Sequence, residues 1–344
     1  MRAAVTLGGA ALGVEDRPIP EPGPGEVRVR VRACGICGTD LHYQHDGLWK
    51  PGHTPGHEMA GVLDALGEGA QGVKVGATVA VEPLRPCGTC RYCREGRAQI
   101  CPDLKLYGIH LPGGLAEYMT VPAERVYPVP ADLSPALAAL AEPVAVVVHG
   151  LRRGGFAPGD RVLVIGAGSI GLLTTLAARA LGAGEILVTA RHPRQGELAK
   201  ALGATEVLGE AEATRKALDA LGRARAIDLV VETVGGHADT LRLASAAVRP
   251  GGTVSVLGVF MEKVALDPLP LLLKETTLAW SNCYRQHHGK SRADFADAID
   301  LIAGNREALS LVATHQVPLE RVSEAFEIAG NKAAGAVKVT VTAG

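Results

Sequence analysis

Aromatic residues are scarce in this 344-residue chain, at 3% of the total. A core without rings has to be built from Val, Leu, Ile and Ala, the material of buried strands and helices. Net charge is almost absent, with 35 Lys and Arg against 36 Asp and Glu. That balance removes the electrostatic case for nucleic acid or an anionic membrane surface as a partner. The sequence shows no run of about 18 apolar residues suited to crossing a bilayer. Its start, MRAAVTLGGA, lacks the basic-then-apolar layout of a signal peptide, so a cytoplasmic location is expected. Seven cysteines in a reducing compartment read as metal ligands or buried thiols rather than disulfides. Repeats of fixed period are also missing. What is present is an ordinary globular balance, 47% hydrophobic and 21% charged, in a chain long enough for two domains.

Two textures divide the chain. Residues 1 to about 80 read as short strands and turns. EDRPIPEPGPGE is a loop, Glu26 to Ala33 (EVRVRVRA) alternates like a half-buried strand, and glycine-broken alternation continues to about residue 83. This pattern predicts an antiparallel, barrel-like unit. From about Pro158 strands and helices alternate (RVLVIGAG, EILVTA, DLVVETVG, TVSVLG), the rhythm of a doubly wound parallel sheet. The fold class is therefore α/β, a β-rich unit joined to a parallel-sheet unit. After about His287 one helix is expected in DFADAIDLIAG and a final strand in GAVKVTVTA, returning to the first unit.

Cys87, Cys90, Cys93 and Cys101 form C-x2-C-x2-C-x7-C within a lobe spanning 85–102. Short spacings let one turn present several thiolates to a single ion, and four thiolates close a tetrahedral zinc with no open position. A redox dithiol needs only two of these cysteines. A nucleic-acid-binding finger brings clustered basic residues, which the charge balance disfavours. A structural zinc is the expectation.

Gly166, Gly168 and Gly171 stand as G-x-G-x-x-G directly after the apolar strand RVLVI and ahead of an apolar helix. In that setting the glycines permit a tight turn, close approach of backbone to a pyrophosphate, and close packing of helix on strand. The helix N-terminus favours the phosphate charge. An NAD site commonly ends the next strand with an acid, about 20 residues on. Here that place is Ala190, followed by Arg191, His192, Pro193 and Arg194, while Glu185 lies at the other end of the strand. Arg191 and Arg194 suit the 2′-phosphate of NADP, although both also read as solvent-facing charges at a helix start. NADP is favoured over NAD.

The stretch GICGTDLHYQHDGLWKPGHTPGHE, residues 35–58, offers a thiol at Cys37, imidazoles at His42 and His57, carboxylates at Asp40 and Glu58, and a hydroxyl at Thr39. Sulfur, nitrogen and oxygen donors together suit a catalytic zinc with an open position. Taken alone, the same residues read equally as a loop with a buried thiol and surface histidines.

A zinc-ligand stretch, a four-cysteine lobe and a glycine turn, in this order along nearly the whole chain, resemble the zinc-containing medium-chain alcohol dehydrogenases. The resemblance implies a GroES-like catalytic domain (1–150) with the zinc lobe, a Rossmann dinucleotide-binding domain (151–286), and a C-terminal segment (287–344) returning to the first. It implies Cys37 and His57 as zinc ligands and Glu58 as a carboxylate that binds zinc or exchanges with water there. Thr39 matches the hydroxyl that meets substrate, Asp40 a residue orienting a zinc-bound imidazole, and His42 the outer end of a proton relay through the nicotinamide ribose. The remaining ligand position is Glu142, in LAEPVAVVVHG, where ethanol-oxidising relatives carry cysteine. This Glu-Pro form resembles sorbitol and related polyol dehydrogenases, and leaves open which glutamate binds zinc directly. Glu142 also reads as a plain helix-start acid.

Lys338, in GAVKV, resembles a residue near the cofactor phosphates or ribose; a strand-edge lysine is the alternative. Cys283 and Tyr284, in SNCYR, match a segment approaching cofactor and substrate, yet Cys34 and Cys283 by themselves read as small core residues. Tyr43 is matched to the pocket, Trp49 and His110 stand equally for cleft or surface, and His287 and His288 read as surface. The implied function is zinc-dependent interconversion of a secondary alcohol or polyol and its carbonyl, with two Zn2+ per chain and NADP(H) over NAD(H). The partners implied are a small-molecule substrate and other copies of the chain, as a homotetramer or dimer. Alternatives are L-threonine dehydrogenase-like oxidation of an amino alcohol, a zinc-free quinone or enoyl reductase, and a non-catalytic dinucleotide-binding or redox-sensing protein on the same fold.

Overall fold

The computed structural model describes every residue except Met261, 287–292, Lys332 and Ala334; His287 and His288 therefore lie outside the described residues. The chain divides into two compact units, one formed by Met1–Glu142 with Arg285–Gly344 and the other by Pro143–Tyr284.

In the first unit, alternation in Glu26–Gly35 buries Val27, Val29, Val31 and Ala33 on one side. That strand lies inside a seven-stranded sheet. It pairs antiparallel with Glu58–Leu66, with Tyr118–Pro122 and with Val339–Thr342. The register sets Gly35 opposite both Glu58 and Thr340, which carries the PGHE and GAVKV segments to one end of one strand. His315–Pro318 extends the sheet in parallel beyond Val339–Thr342. The C-terminal part holds more than the single expected helix: Asp294–Gly304 is joined by Arg306–Ser310 and Val322–Gly330. Val322, Ala325, Phe326 and Ala329 bury the inner face of the last helix at helical spacing.

The second unit is a six-stranded parallel sheet. Its order runs from Glu206–Leu208 through Glu185–Thr189, Arg161–Ile165, Ile227–Glu232 and Val248–Val256 to Thr277–Trp280. Strand order reverses on either side of Arg161–Ile165, the switch point at which such sheets bind ligands. The apolar residues Val162, Leu163, Val164 and Ile165 are all buried, as a strand covered on both faces requires. The stretch Pro135–Arg153 is long and apolar enough to cross a membrane, but 83% of it is buried inside the protein, as befits a core helix.

Candidate active site and metal centres

Cys37 ends the approach to helix Gly38–His45, and its backbone N–H donates to Asp40 Oδ2 at 2.9 Å. Asp40 is buried at the first turn of this helix, where an acid also meets the positive end of the helix dipole. Its other oxygen faces His57 Nδ1 at 3.3 Å, which leaves Nε2 as the metal-facing nitrogen. Cys37 Sγ lies 3.8 Å from Thr39 Oγ1. Thr39 and His42, three residues apart, share one face of the helix.

One ligand atom each from Cys37, His57 and Glu58 fall within 4.8 Å of one another. Three donors of these types leave a tetrahedral ion one position open, so the set fits a catalytic zinc. Burial opposes a charged ring at His57, but Asp40 and Cys37 outweigh it and hold the imidazole pKa well above its usual value. A metal at the same donors takes the place of that proton. Glu58 is fully buried, and its carboxylate crosses Gly35 so closely that a Cβ there would stand 2.0 Å from Oε2. Only glycine leaves that space.

Glu142 is buried near this group but is not one of the three close donors. Burial pushes its carboxyl up to about 7; His57 and Lys338 pull downward, and Glu58 and Asp40 add to the rise. Lys338 departs from expectation. Instead of standing at a strand edge or reaching for a cofactor, it is 2% exposed and donates to Glu58 Oε1 at 2.6 Å, Glu58 Oε2 at 2.8 Å and the Ile36 carbonyl at 3.2 Å. Pairing between strands places it there, and no local pattern around GAVKV signals it.

The four-cysteine lobe is assembled as its spacing suggests. Sulfur separations are 3.4 Å for Cys90–Cys93, 3.5 Å for Cys87–Cys101 and 3.9 Å for Cys87–Cys93. A tetrahedron with Zn–S bonds of about 2.3 Å has edges of about 3.8 Å, so the lobe fits one zinc. Backbone N–H groups of Thr89 and Cys90 lower the Cys87 thiol to about 6, while burial pushes Cys93 up to about 12.

In the second unit Gly166 takes φ 101°, and its N–H donates to Thr189 Oγ1 at 2.9 Å. A Cβ on Gly171 would lie 1.8 Å from the Gly166 oxygen, whereas one on Gly168 would meet nothing within 4 Å. The outer glycine packs helix on strand, and the middle one leaves space in front of the helix N-terminus, a cradle that fits a dinucleotide pyrophosphate. Two residues that sequence reasoning missed support this turn. Thr233 Oγ1 donates to the Ile165 carbonyl at 2.8 Å, and buried Glu232 accepts from Val234 N, Gly235 N and Thr240 Oγ1 at 2.7–3.0 Å. The acid-free strand end holds, since Glu185 pairs with Arg225 at the opposite end. Arg191 and Ala190 line an open cleft of about 410 Å³, which Arg194 does not line. Arg191 and Glu210 form an exposed ion pair at 3.2 Å.

Trp49 is buried and packs 5.5 Å from the partly buried Tyr43, while His110 is exposed and its Nδ1 accepts the Leu106 N–H. Cys34 is a buried thiol, as expected of a core residue. Cys283 is not: it is half-buried with φ 48°, because the bend after strand Thr277–Trp280 turns there.

Comparison with known proteins agrees with this geometry. Residues 23–131 match the alcohol dehydrogenase GroES-like domain, and residues 169–304 the zinc-binding dehydrogenase domain. Sorbitol dehydrogenase of Bacillus subtilis is 37% identical over 75% of this chain and 75% of its own length. L-threonine 3-dehydrogenase of the same organism is 32% identical over 95% of both. The chain belongs to the zinc-containing medium-chain alcohol dehydrogenases. A zinc-binding dehydrogenase from Sinorhizobium meliloti, solved with NADP, superposes with a TM-score of 0.89 at 32% identity, over 99% of this chain and 98% of that one. Galactitol-1-phosphate dehydrogenase of Escherichia coli gives 0.91 at 28% identity, over 99% and 100%. The β-rich unit is thus the family's GroES-like domain and the parallel-sheet unit its Rossmann domain. The protein is a zinc-dependent alcohol or polyol dehydrogenase that uses a nicotinamide cofactor.

Proposed function

We propose that this dehydrogenase oxidises a secondary alcohol of a polyol to its ketone, and reduces the ketone in reverse, at the Cys37–His57–Glu58 centre. The convergence of those three donors beside Thr39 and the buried Asp40 carries the reading. In this reading Cys37, His57 and Glu58 hold the catalytic zinc, and Glu142 stands buried beside them, outside the donor set. Cys87, Cys90, Cys93 and Cys101 hold a second, structural zinc, giving two per chain.

Bound zinc supplies Lewis-acid polarisation of the substrate oxygen, and bound nicotinamide accepts the hydride. Thr39 Oγ1, on the sulfur side of the centre, orients the substrate hydroxyl by accepting its hydrogen bond. His42, half-exposed one helical turn further on, takes part in carrying the proton to solvent. Asp40 holds the His57 ring in the orientation that directs Nε2 at the metal.

Gly166, Gly168 and Gly171 receive the pyrophosphate. Ala190 in place of an acid, with Arg191 and Arg194 following, favours NADP. L-threonine is the alternative substrate, supported by the likeness to L-threonine 3-dehydrogenase over 95% of the chain. A homodimer or homotetramer is supported by Trp280, 55% exposed on the sheet-edge strand Thr277–Trp280, with exposed Leu272 and Leu273 close in sequence. A cytoplasmic location accords with seven free cysteines.

Nicotinamide absorbance with NADP and NAD across polyols, vicinal diols, threonine and simple alcohols tests the assignment. Turnover fastest with a polyol or vicinal diol and NADP is the expected result. Equal or better use of NAD refutes the argument from Arg191. Cys37→Ser is expected to halve the zinc content and abolish turnover in a protein that remains folded; substantial residual turnover refutes the metal centre.

A further inference from the structure

The Lys338–Glu58 pair is unusual in its completeness. An ammonium has three protons to donate, and here all three are engaged, two by the Glu58 oxygens and one by the Ile36 carbonyl. The side chain is 2% exposed and its partner 0%, so neither group exchanges its partner for water. A buried ion pair of this kind contributes little net stability, because desolvation offsets the attraction. Its chemical effect falls on the carboxylate. Each Glu58 oxygen keeps a lone pair after receiving the lysine proton, and the carboxylate also supplies one of the three close metal donors.

We propose that Lys338 is a positioning residue of the zinc centre, sharing Glu58 with the metal so that this carboxylate remains a weak, single-oxygen ligand and the substrate position stays open. The inference rests on Cys37, His57 and Glu58 being the zinc ligands. The Cys37 sulfur and the side chains of Asp40, Glu58 and Glu142 gather at the centre, and Lys338 is the ammonium set among them. Without it, Glu58 turns both oxygens and its full charge to the metal. Zinc is then held more tightly, and the position that substrate needs is filled.

The test is Lys338→Met, with Lys338→Arg as the charge-retaining control. Zinc affinity is read by chelator competition, and coordination by the visible spectrum of the cobalt-substituted enzyme. Subtracting the spectrum of Cys37→Ser removes the contribution of the four-cysteine lobe. Expected for Lys338→Met is zinc binding about tenfold tighter, a change of the size that altering a group behind a metal ligand produces but opposite in sign, because the group removed competes with the metal for Glu58. Its cobalt bands should weaken, as a rise in coordination number requires, and Lys338→Arg should restore both readings toward wild type. Unchanged or weaker zinc binding, or an unchanged spectrum, overturns the proposal. Lys338→Gln keeps a donor toward Glu58 and carries the same expectation at smaller amplitude, so a poorly folding methionine variant leaves the question answerable. Wild-type protein that takes up zinc only in the four-cysteine lobe refutes the metal centre itself. Two zinc ions in wild type with an indifferent Lys338→Met refutes the lysine's role alone.

Discussion

Adding one methyl group at each of two glycines separates the two tasks of the glycine turn. At Gly171 the added carbon lies 1.8 Å from the Gly166 oxygen, so helix and turn must part by about 1 Å or more to reach an ordinary contact. Alanine is the better helix former by about 1 kcal/mol, but forcing atoms into a packed contact costs about 1–3 kcal/mol, and a backbone oxygen yields less than a side chain. Crowding wins, and Gly171→Ala should lower the melting temperature by about 2–4 °C per kcal/mol. At Gly168 the added carbon meets nothing within 4 Å, and the residue's φ of −78° suits any amino acid. Gly168→Ala should therefore melt close to wild type, within the small cost of a poorer helix cap. The methyl nevertheless stands where the pyrophosphate must approach the helix N-terminus. Losing one charge-assisted hydrogen bond there costs about 1.5–3 kcal/mol, or at least about tenfold in affinity. Melting scans and titration of NADPH fluorescence measure the two effects. Gly168→Ala that binds NADPH as wild type does, or that destabilises as much as Gly171→Ala, would refute the division of roles.

Two further outcomes follow from buried and metal-binding groups. Cys87 has its pKa lowered to about 6 without metal, so it is already a thiolate at pH 7. Zinc uptake by the lobe should release fewer than four protons at that pH, and its decline with falling pH should steepen by one proton below about 6, where Cys87 also protonates. Calorimetry in buffers of different ionisation enthalpy counts the protons, and a release of four contradicts the assignment. The buried Glu82 is held by Arg125 at 3.3 Å, by Tyr127 at 3.2 Å and by Gln286 at 2.8 Å. Arg125→Leu strands its charge and should cost about 3–5 kcal/mol by denaturant titration, with much of the loss recovered in Arg125→Leu/Glu82→Gln; an equal loss in the double variant argues against the pair.

Features that close over a few residues were legible in the sequence. The four cysteines span 15 positions and need one turn to meet, and Gly166, Gly168 and Gly171 follow their strand directly. The alternation of Glu26–Gly35 and the parallel-sheet rhythm after Pro158 were equally local. Lys338 and Glu58 are 280 residues apart, and only the register of three strands brings them together, which one-dimensional reading does not encode. Cys283 was misread because a small apolar residue and a tight bend share one signature in sequence. Helix Val322–Gly330 was missed: it is nine residues long and follows strand His315–Pro318 and the short turn Leu319–Arg321 without a break, so its apolar spacing merges with theirs.

The strand Val339–Thr342 completes one side of Glu26–Gly35. Every residue of the nucleotide-binding unit is therefore synthesised before residues 33–35, the end of that strand beside Glu58, gain their second partner strand and before Lys338 can pair with Glu58. During synthesis the N-terminal part carries an open sheet edge, the surface on which nascent chains misassociate. The late arrival of residues 338–342 closes the edge and neutralises the buried carboxylate in a single event. The counter-charge of Glu58 thus arrives only after the whole nucleotide-binding unit has been made.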